Sequence, residues 1–225
     1  MTESPVRTMP VAAPAPAGAP PRGDRVRTLR RGPRETQRDF TVLLDVLARP
    51  GRIGRLRLPA HPPAAAAAAC GLIDFEVPLH VLTDGSAEGV AWALAVHAAT
   101  GAPQTEAARA RCLLALRPLG PADIGLLHRG SPLDPETGAR VFAQVDTLSD
   151  GTAGGADGAV TLAVTGPGVP TERRLVVAGL PAASVPALAE ANAAFPCGVD
   201  LFLVAADGSV AGLPRTARVR LLGGA

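Results

Sequence analysis

Residues 201–213 read Leu-Phe-Leu-Val-Ala-Ala-Asp-Gly-Ser-Val-Ala-Gly-Leu. Two apolar runs, Leu201 to Val204 and Ser209 to Leu213, flank Asp207-Gly208, a dipeptide suited to the positive φ angles of a tight turn. The stretch therefore predicts a β-hairpin with a buried face. Working outward, Arg218 to Leu222 continues as a closing strand. Upstream, Val185 to Asn192 is predicted as a helix, introduced by Ser184 and Pro186. Leu175 to Val177, Val160 to Val164 and Val141 to Val145 are further strands. The Gly/Asp-rich link from Ser149 to Gly158 between the last two is expected to be a long hairpin loop.

Toward the N-terminus helices and strands alternate. Cys112 to Leu116 and Leu79 to Leu82 suit interior strands, and Ile53 to Leu58 a short one. Pro121 to Leu127 reads as a short helix. Ser86 is placed to cap a helix running to about Ala99, and Ala64 to Leu72 reads as a helix after Pro62-Pro63. Thr36 with Asp39 fits a capping box, and Phe40, Leu43, Leu44 and Leu47 fall on one helical face that Pro50-Gly51 terminates. The expected architecture is α/β: one domain, residues 34–225, with a mixed β-sheet flanked by helices. Residues 1–33, rich in Pro, Ala, Gly and Arg without periodicity, are expected to be a disordered tail whose deletion leaves the fold intact.

Composition narrows the chemistry. The 225 residues are 47% hydrophobic, and no apolar run approaches the roughly 18 residues of a membrane span. No secretory signal is legible, so a cytoplasmic protein without membrane contact is expected. All 22 residues of the Lys+Arg count are arginine. Without lysine the chain can neither form a Schiff base with pyridoxal phosphate nor build a lysine-bearing phosphate loop. Seven arginines lie in residues 1–34 against Glu3 and Asp24, whereas the other 15 face 18 carboxylates. The body is thus mildly acidic. With five Phe, one Trp and no Tyr, there are few platforms for bases, and nucleic acid is not expected as a partner.

No catalytic constellation is legible. His61, His80, His97 and His128 are scattered, and Cys70, Cys112 and Cys197 form neither a CxxC pair nor a disulfide framework. No metal site or cofactor is predicted. Gly85-Ser86-Ala87-Glu88-Gly89 is a turn feeding a helix cap rather than a nucleophile elbow. Gly166-Pro167-Gly168 starts like a dinucleotide loop but is followed by Val169-Pro170-Thr171, so a sharp turn is expected. Cys197 reads as a packed thiol.

Several of these turns form an ordered pattern. Arg49-Pro50-Gly51 follows Phe40 and Leu43-Leu44. Leu72-Ile73-Asp74, the loop from Gly130 to Gly138 and Gly166-Pro167-Gly168-Val169 come next. Asn192 to Leu201, N-A-A-F-P-C-G-V-D-L with Phe195, Pro196, Gly198 and Asp200, precedes Leu213-Pro214-Arg215-Thr216. From Glu35 to Leu222 the chain resembles the PhnH family of the bacterial carbon–phosphorus lyase complex. It departs where Ala139-Arg140 stands in place of a common Ala-Thr, and in the tail and the link at 150–158.

The resemblance implies a fold like the large domain of pyridoxal-phosphate-dependent transferases that has lost the cofactor site. It also implies a homodimer in isolation, and a complex with the G, I and J proteins of the carbon–phosphorus lyase and an ATP-binding-cassette-like partner. That assembly displaces adenine from MgATP and installs an alkylphosphonate on the ribose, the α-D-ribose 1-methylphosphonate 5-triphosphate synthase step. Carbon–phosphorus bond cleavage belongs to the J protein. The chain itself is expected to be structural or allosteric, with no catalytic residue of its own; the alternative is a free-standing small-molecule binding domain. For Asp200 and Arg215 two roles stay open: a pair bracing the C-terminal hairpin, or a phosphate or partner contact by Arg215.

Overall fold

The computed structural model of the chain describes residues 22–151 and 158–224. In chain order its elements are helix α1 (Arg22–Leu29), α2 (Pro33–Ala48), strand β1 (Ile53–Arg55), α3 (Ala64–Cys70), β2 (Leu79–Leu82) and α4 (Ala87–Thr100). There follow β3 (Cys112–Ala115), α5 (Pro121–Gly125), β4 (Arg140–Val145), β5 (Thr147–Ser149), β6 (Val160–Thr165) and β7 (Arg173–Ala178). Helix α6 (Ser184–Ala191) precedes β8 (Asp200–Ala205), β9 (Ser209–Leu213) and β10 (Arg218–Gly224).

The hairpin read at 201–213 is present. β8 and β9 pair antiparallel with Leu201 opposite Leu213 and Val204 opposite Val210, and Gly208 takes the turn's left-handed position at φ +85°. It is built into a six-stranded sheet of order β1-β9-β8-β4-β3-β2. The segment β2-β3-β4-β8 is parallel, so the sheet is mixed, as expected. Its strands alternate cleanly between two cores. Cys112, Leu114, Phe142, Phe202 and Val204 face Leu29, Leu43, Val46, Trp92 and the alanines of α3. Leu113, Val141, Ala143, Leu201 and Leu203 face the other way, toward Leu162, Leu175, Val177, Val185 and Leu188. Phe142 and Phe202, cross-strand neighbours, stack at 4.9 Å between ring centroids. Ala64 to Ala69 are all buried; six methyl side chains let α3 lie close against the sheet.

A second sheet, of order β10-β6-β7-β5, is wholly antiparallel. This corrects the expected hairpin between residues 141–145 and 160–164. β4 lies between β3 and β8 and is buried on both faces, so it has no free edge to receive β6. The residues directly after β4 instead form β5, which pairs with β7; residues 152–157 lie outside the described residues.

The N-terminal boundary also moves. Residues 22–29, expected in the disordered tail, form a helix whose Leu29 is fully buried; residues 1–21 lie outside the described residues. Arg25 is clamped between Glu88 at 2.7 Å and the face of Trp92, 5.3 Å from its centroid, and Trp92 donates its indole N–H to the same Glu88. Arg31 reaches Asp39 at 2.8 Å, with side chains only 7% and 4% exposed, and donates to the Arg57 carbonyl.

Two further differences concern α2. Helix α2 starts at Pro33 rather than Thr36, with the Gly32 N–H held by Glu35. The buried face is Asp39, Leu43 and Val46, while Phe40 and Leu44 are about half exposed. Asp39 must face inward to meet Arg31, and this turns Phe40 outward.

Removing one member of a buried ion pair strands the other, at a cost of about 3–5 kcal/mol. Arg31→Ala should therefore lower the urea unfolding midpoint strongly, and truncation of residues 1–33 should do so further. A midpoint unchanged in both would contradict the docking of α1.

Candidate functional site

The residues singled out in the sequence fall far apart in the chain, yet the fold brings them into one seam. At the end of α2 the Arg49 side chain pairs with Asp45. The carbonyls of Arg49 and Pro50 both accept from the Arg173 guanidinium, at 3.1 and 2.7 Å. Gly51, at φ +73°, donates its N–H to the Gly212 carbonyl. Gly168 packs so closely beneath this helix end that a Cβ would stand 1.9 Å from the Ala48 carbonyl oxygen. Gly166 closes its turn with Val169 and faces the backbone of Thr216 and Ala217. The sharp turn expected at 166–168 is thus observed, and it touches α2 on one side and the Pro214–Ala217 turn on the other.

From that turn Arg215 reaches inward. Its Nη2 donates to Asp200 Oδ2 at 2.7 Å and its Nε to Oδ1 at 3.3 Å, while its backbone N–H donates to Oδ1 at 2.9 Å. Nη1 donates to the carbonyl oxygens of Pro135 and Pro196. The two charged side chains are 13% and 22% exposed. A guanidinium has five N–H donors, and the four hydrogen bonds of this one reach three chain segments: the start of β8, the 130–138 loop and the turn after Phe195. Gly138 and Gly198 make room for it, since a Cβ on either would approach Arg215 to 2.9 Å. Asn192 completes the seam, accepting from the Val199 N–H at 2.7 Å and donating to its carbonyl.

The Asp200–Arg215 pair is formed, joining the start of β8 to the turn after β9. A phosphate at Arg215 would have to displace a bidentate carboxylate and two carbonyls. Arg173 is not singled out in the sequence; Pro135, Gly138 and Asn192 lie inside quoted segments of the ordered pattern, but no role in the seam is legible for them, because backbone carbonyls leave no side-chain signature.

The other candidates are accounted for locally. His80 and His97 each place Nδ1 against a carbonyl, Thr105 at 2.8 Å and Ala102 at 3.0 Å. Ser86 caps α4 by accepting from Gly89, and its hydrogen bonds to Asp84 hold that carboxyl below its usual range. Burial pushes the thiols of Cys70 and Cys112 up to about 12. Among the described residues no group of three or more His, Cys, Asp or Glu side chains is arranged to hold a metal. Among them, too, no helix is long and apolar enough to cross a membrane.

Beside the Arg215 brace lies a cleft of about 460 Å³ lined by Pro167, Ala189, Phe195, Thr216 and Arg218 among others. Arg215 itself and Asn192 form part of its wall, so the cleft and the seam adjoin.

A family model described as "Bacterial phosphonate metabolism protein (PhnH)" matches residues 28–220. The chain belongs to the PhnH family. A relative named "Alpha-D-ribose 1-methylphosphonate 5-triphosphate synthase subunit PhnH", from Rhizobium meliloti (strain 1021), is 30% identical over 192 residues, covering 82% of this chain and 90% of the relative. A "Putative C-P lyase subunit protein HtxG" from Stutzerimonas stutzeri is 39% identical over 94 residues, 42% of this chain and 44% of the relative. The PhnH match takes in the whole seam, and it begins inside α1 rather than after it.

Two outcomes are expected. Arg215→Lys, which keeps the charge but loses the fork, should destabilise the chain by about 2 kcal/mol in urea titration; an unchanged midpoint would remove the brace from the account. In the native protein a maleimide should modify Cys197 before Cys70 and Cys112, because burial holds those two as protonated thiols. All three should react in denaturant. Fast native labelling of Cys112 would contradict its burial.

Proposed function

We propose that this chain is a non-catalytic member of a carbon–phosphorus lyase complex. In that complex it supports transfer of the ribose triphosphate of MgATP to an alkylphosphonate. The observation that carries this reading is that the charged residues of the seam are committed to one another and to backbone carbonyls. Asp200 and Arg215 direct their hydrogen bonds to each other and to the Pro135 and Pro196 carbonyls, so in this reading the conspicuous charges of the family's segments shape turns rather than face a substrate. The names of the two relatives supply the complex. The lack of lysine agrees with loss of a pyridoxal-phosphate site, and the parallel β2-β3-β4-β8 segment, with α1 to α4 on one face and α5, α6 and the second sheet on the other, is consistent with a transferase-like origin.

In this reading the partners are the G, I and J proteins and the ATP-binding-cassette-like protein, the compartment is the cytoplasm, and the isolated chain is a homodimer. The alternative, a free-standing binding domain, draws on the open cleft beside Phe195.

Co-expression separates the two. The chain should co-purify with the G, I and J proteins. The complex should consume MgATP with an alkylphosphonate, and the purified chain alone should leave both untouched. Turnover by the isolated chain, or its failure to co-purify, would overturn the proposal.

A further inference from the structure

The effort that the fold spends on two exposed turns raises the question of what they present. Arg215 Nη1 joins the Pro135 and Pro196 carbonyls. Two residues before Pro135 and one before Pro196 in the chain stand two of the most exposed large apolar side chains among the described residues, Leu133 at 92% and Phe195 at 66%. The Leu133 turn is further fixed by Ser131 and Asp134, whose backbones exchange hydrogen bonds at 3.3 and 3.2 Å. Apolar side chains held out on rigid turns do not stabilise a monomer. They do lower the ordering cost of binding, because the turns are already in place.

Phe195 lines the 460 Å³ cleft together with the small apolar residues Ala189, Ala193, Ala217 and Val219. No carboxylate lines it. Arg218, by contrast, is exposed at its edge, and among the described residues no carboxylate lies within ion-pairing distance of its guanidinium. The cleft continues past Ala189 and Val219 into a second hollow of about 560 Å³ between α6 and β10, bordered by Pro186 and Leu221. The recess is therefore elongated. A small molecule in the first hollow would leave Leu133, the outer face of Phe195 and the second hollow wet.

We propose that this groove is where the chain receives another polypeptide of its complex, by a segment that sets apolar side chains against Phe195 and Leu133 and a carboxylate on Arg218. The inference rests on the reading of the chain as a member of a complex and identifies the surface that reading requires. Phe195 has the character of a binding hot spot: aromatic, preorganised and at the lip of a pocket. Arg218 supplies the charge complementarity that sets orientation and association rate.

The test uses the full chain co-expressed with the G, I and J proteins. Phe195→Ser, Leu133→Ser and Arg218→Glu replace exposed side chains, so each variant should keep the parent's melting temperature. Phe195→Ser should weaken binding to the co-expressed proteins by at least about 30-fold, and Arg218→Glu by about tenfold. If Phe195→Ser lowers the melting temperature, Leu133→Ser and Arg218→Glu decide alone. Wild-type association with undiminished binding by these variants would overturn the groove while leaving membership of the complex intact. Absence of wild-type association would instead overturn that membership. Loss of self-association alone, with binding to the other proteins unchanged, would assign the groove to a second copy and also overturn the proposal.

Discussion

The Arg215–Asp200 pair is the interaction on which this end of the molecule depends. Asp200 is the first residue of β8, the strand at which the parallel part of the large sheet meets the antiparallel hairpin. Holding its carboxylate by a fork and a backbone N–H fixes where β8 begins, and with it the register against β4. The remaining guanidinium donors tie in two turns that no regular hydrogen-bond ladder reaches. An arginine suits this because its donors point in a fixed plane, whereas an ammonium would serve one partner well and the others poorly. The cost of taking both charges partly out of water is offset because each is matched and hydrogen-bonded.

Around that brace the small residues do a complementary job. Gly138, Gly198, Gly166 and Gly168 are places where another backbone or the arginine occupies the volume a side chain would need. The Gly and Pro punctuation of the sequence is thus a record of close approaches between segments distant in the chain. This is why motifs that are individually weak belong to one physical structure, and why their order along the chain carries information about a family.

Much of this is legible from residues alone. Asp207-Gly208 announces its hairpin, Ser86 its helix, and the alternation of early elements the mixed sheet, because in each case local chemistry and tertiary context agree. The failures have a common cause. The stripe from Phe40 to Leu44 looks like a core face, but Asp39 has to meet Arg31. Residues 22–29 look like a tail because their docking relies on arginines, which read as solvent-loving until Glu88, Trp92 and Asp39 are placed beside them. Strands β4 and β6 look like partners because sequence shows apolar runs, not which edges are already taken. In the site, the Asp–Arg pair is foreseeable as a pair; its carbonyl partners at Pro135 and Pro196 are not.

If Arg215 shapes the molecule and does no chemistry, its effect on the phosphonate reaction must act through assembly. The direct measurement is turnover of MgATP and alkylphosphonate per mole of assembled complex, for the wild type and Arg215→Lys, with the amount of complex quantified in the same samples. The account predicts less assembled complex for the variant but unchanged turnover in each complex that forms. Full assembly with turnover reduced a hundredfold would contradict it, and would make Arg215 a participant in the reaction.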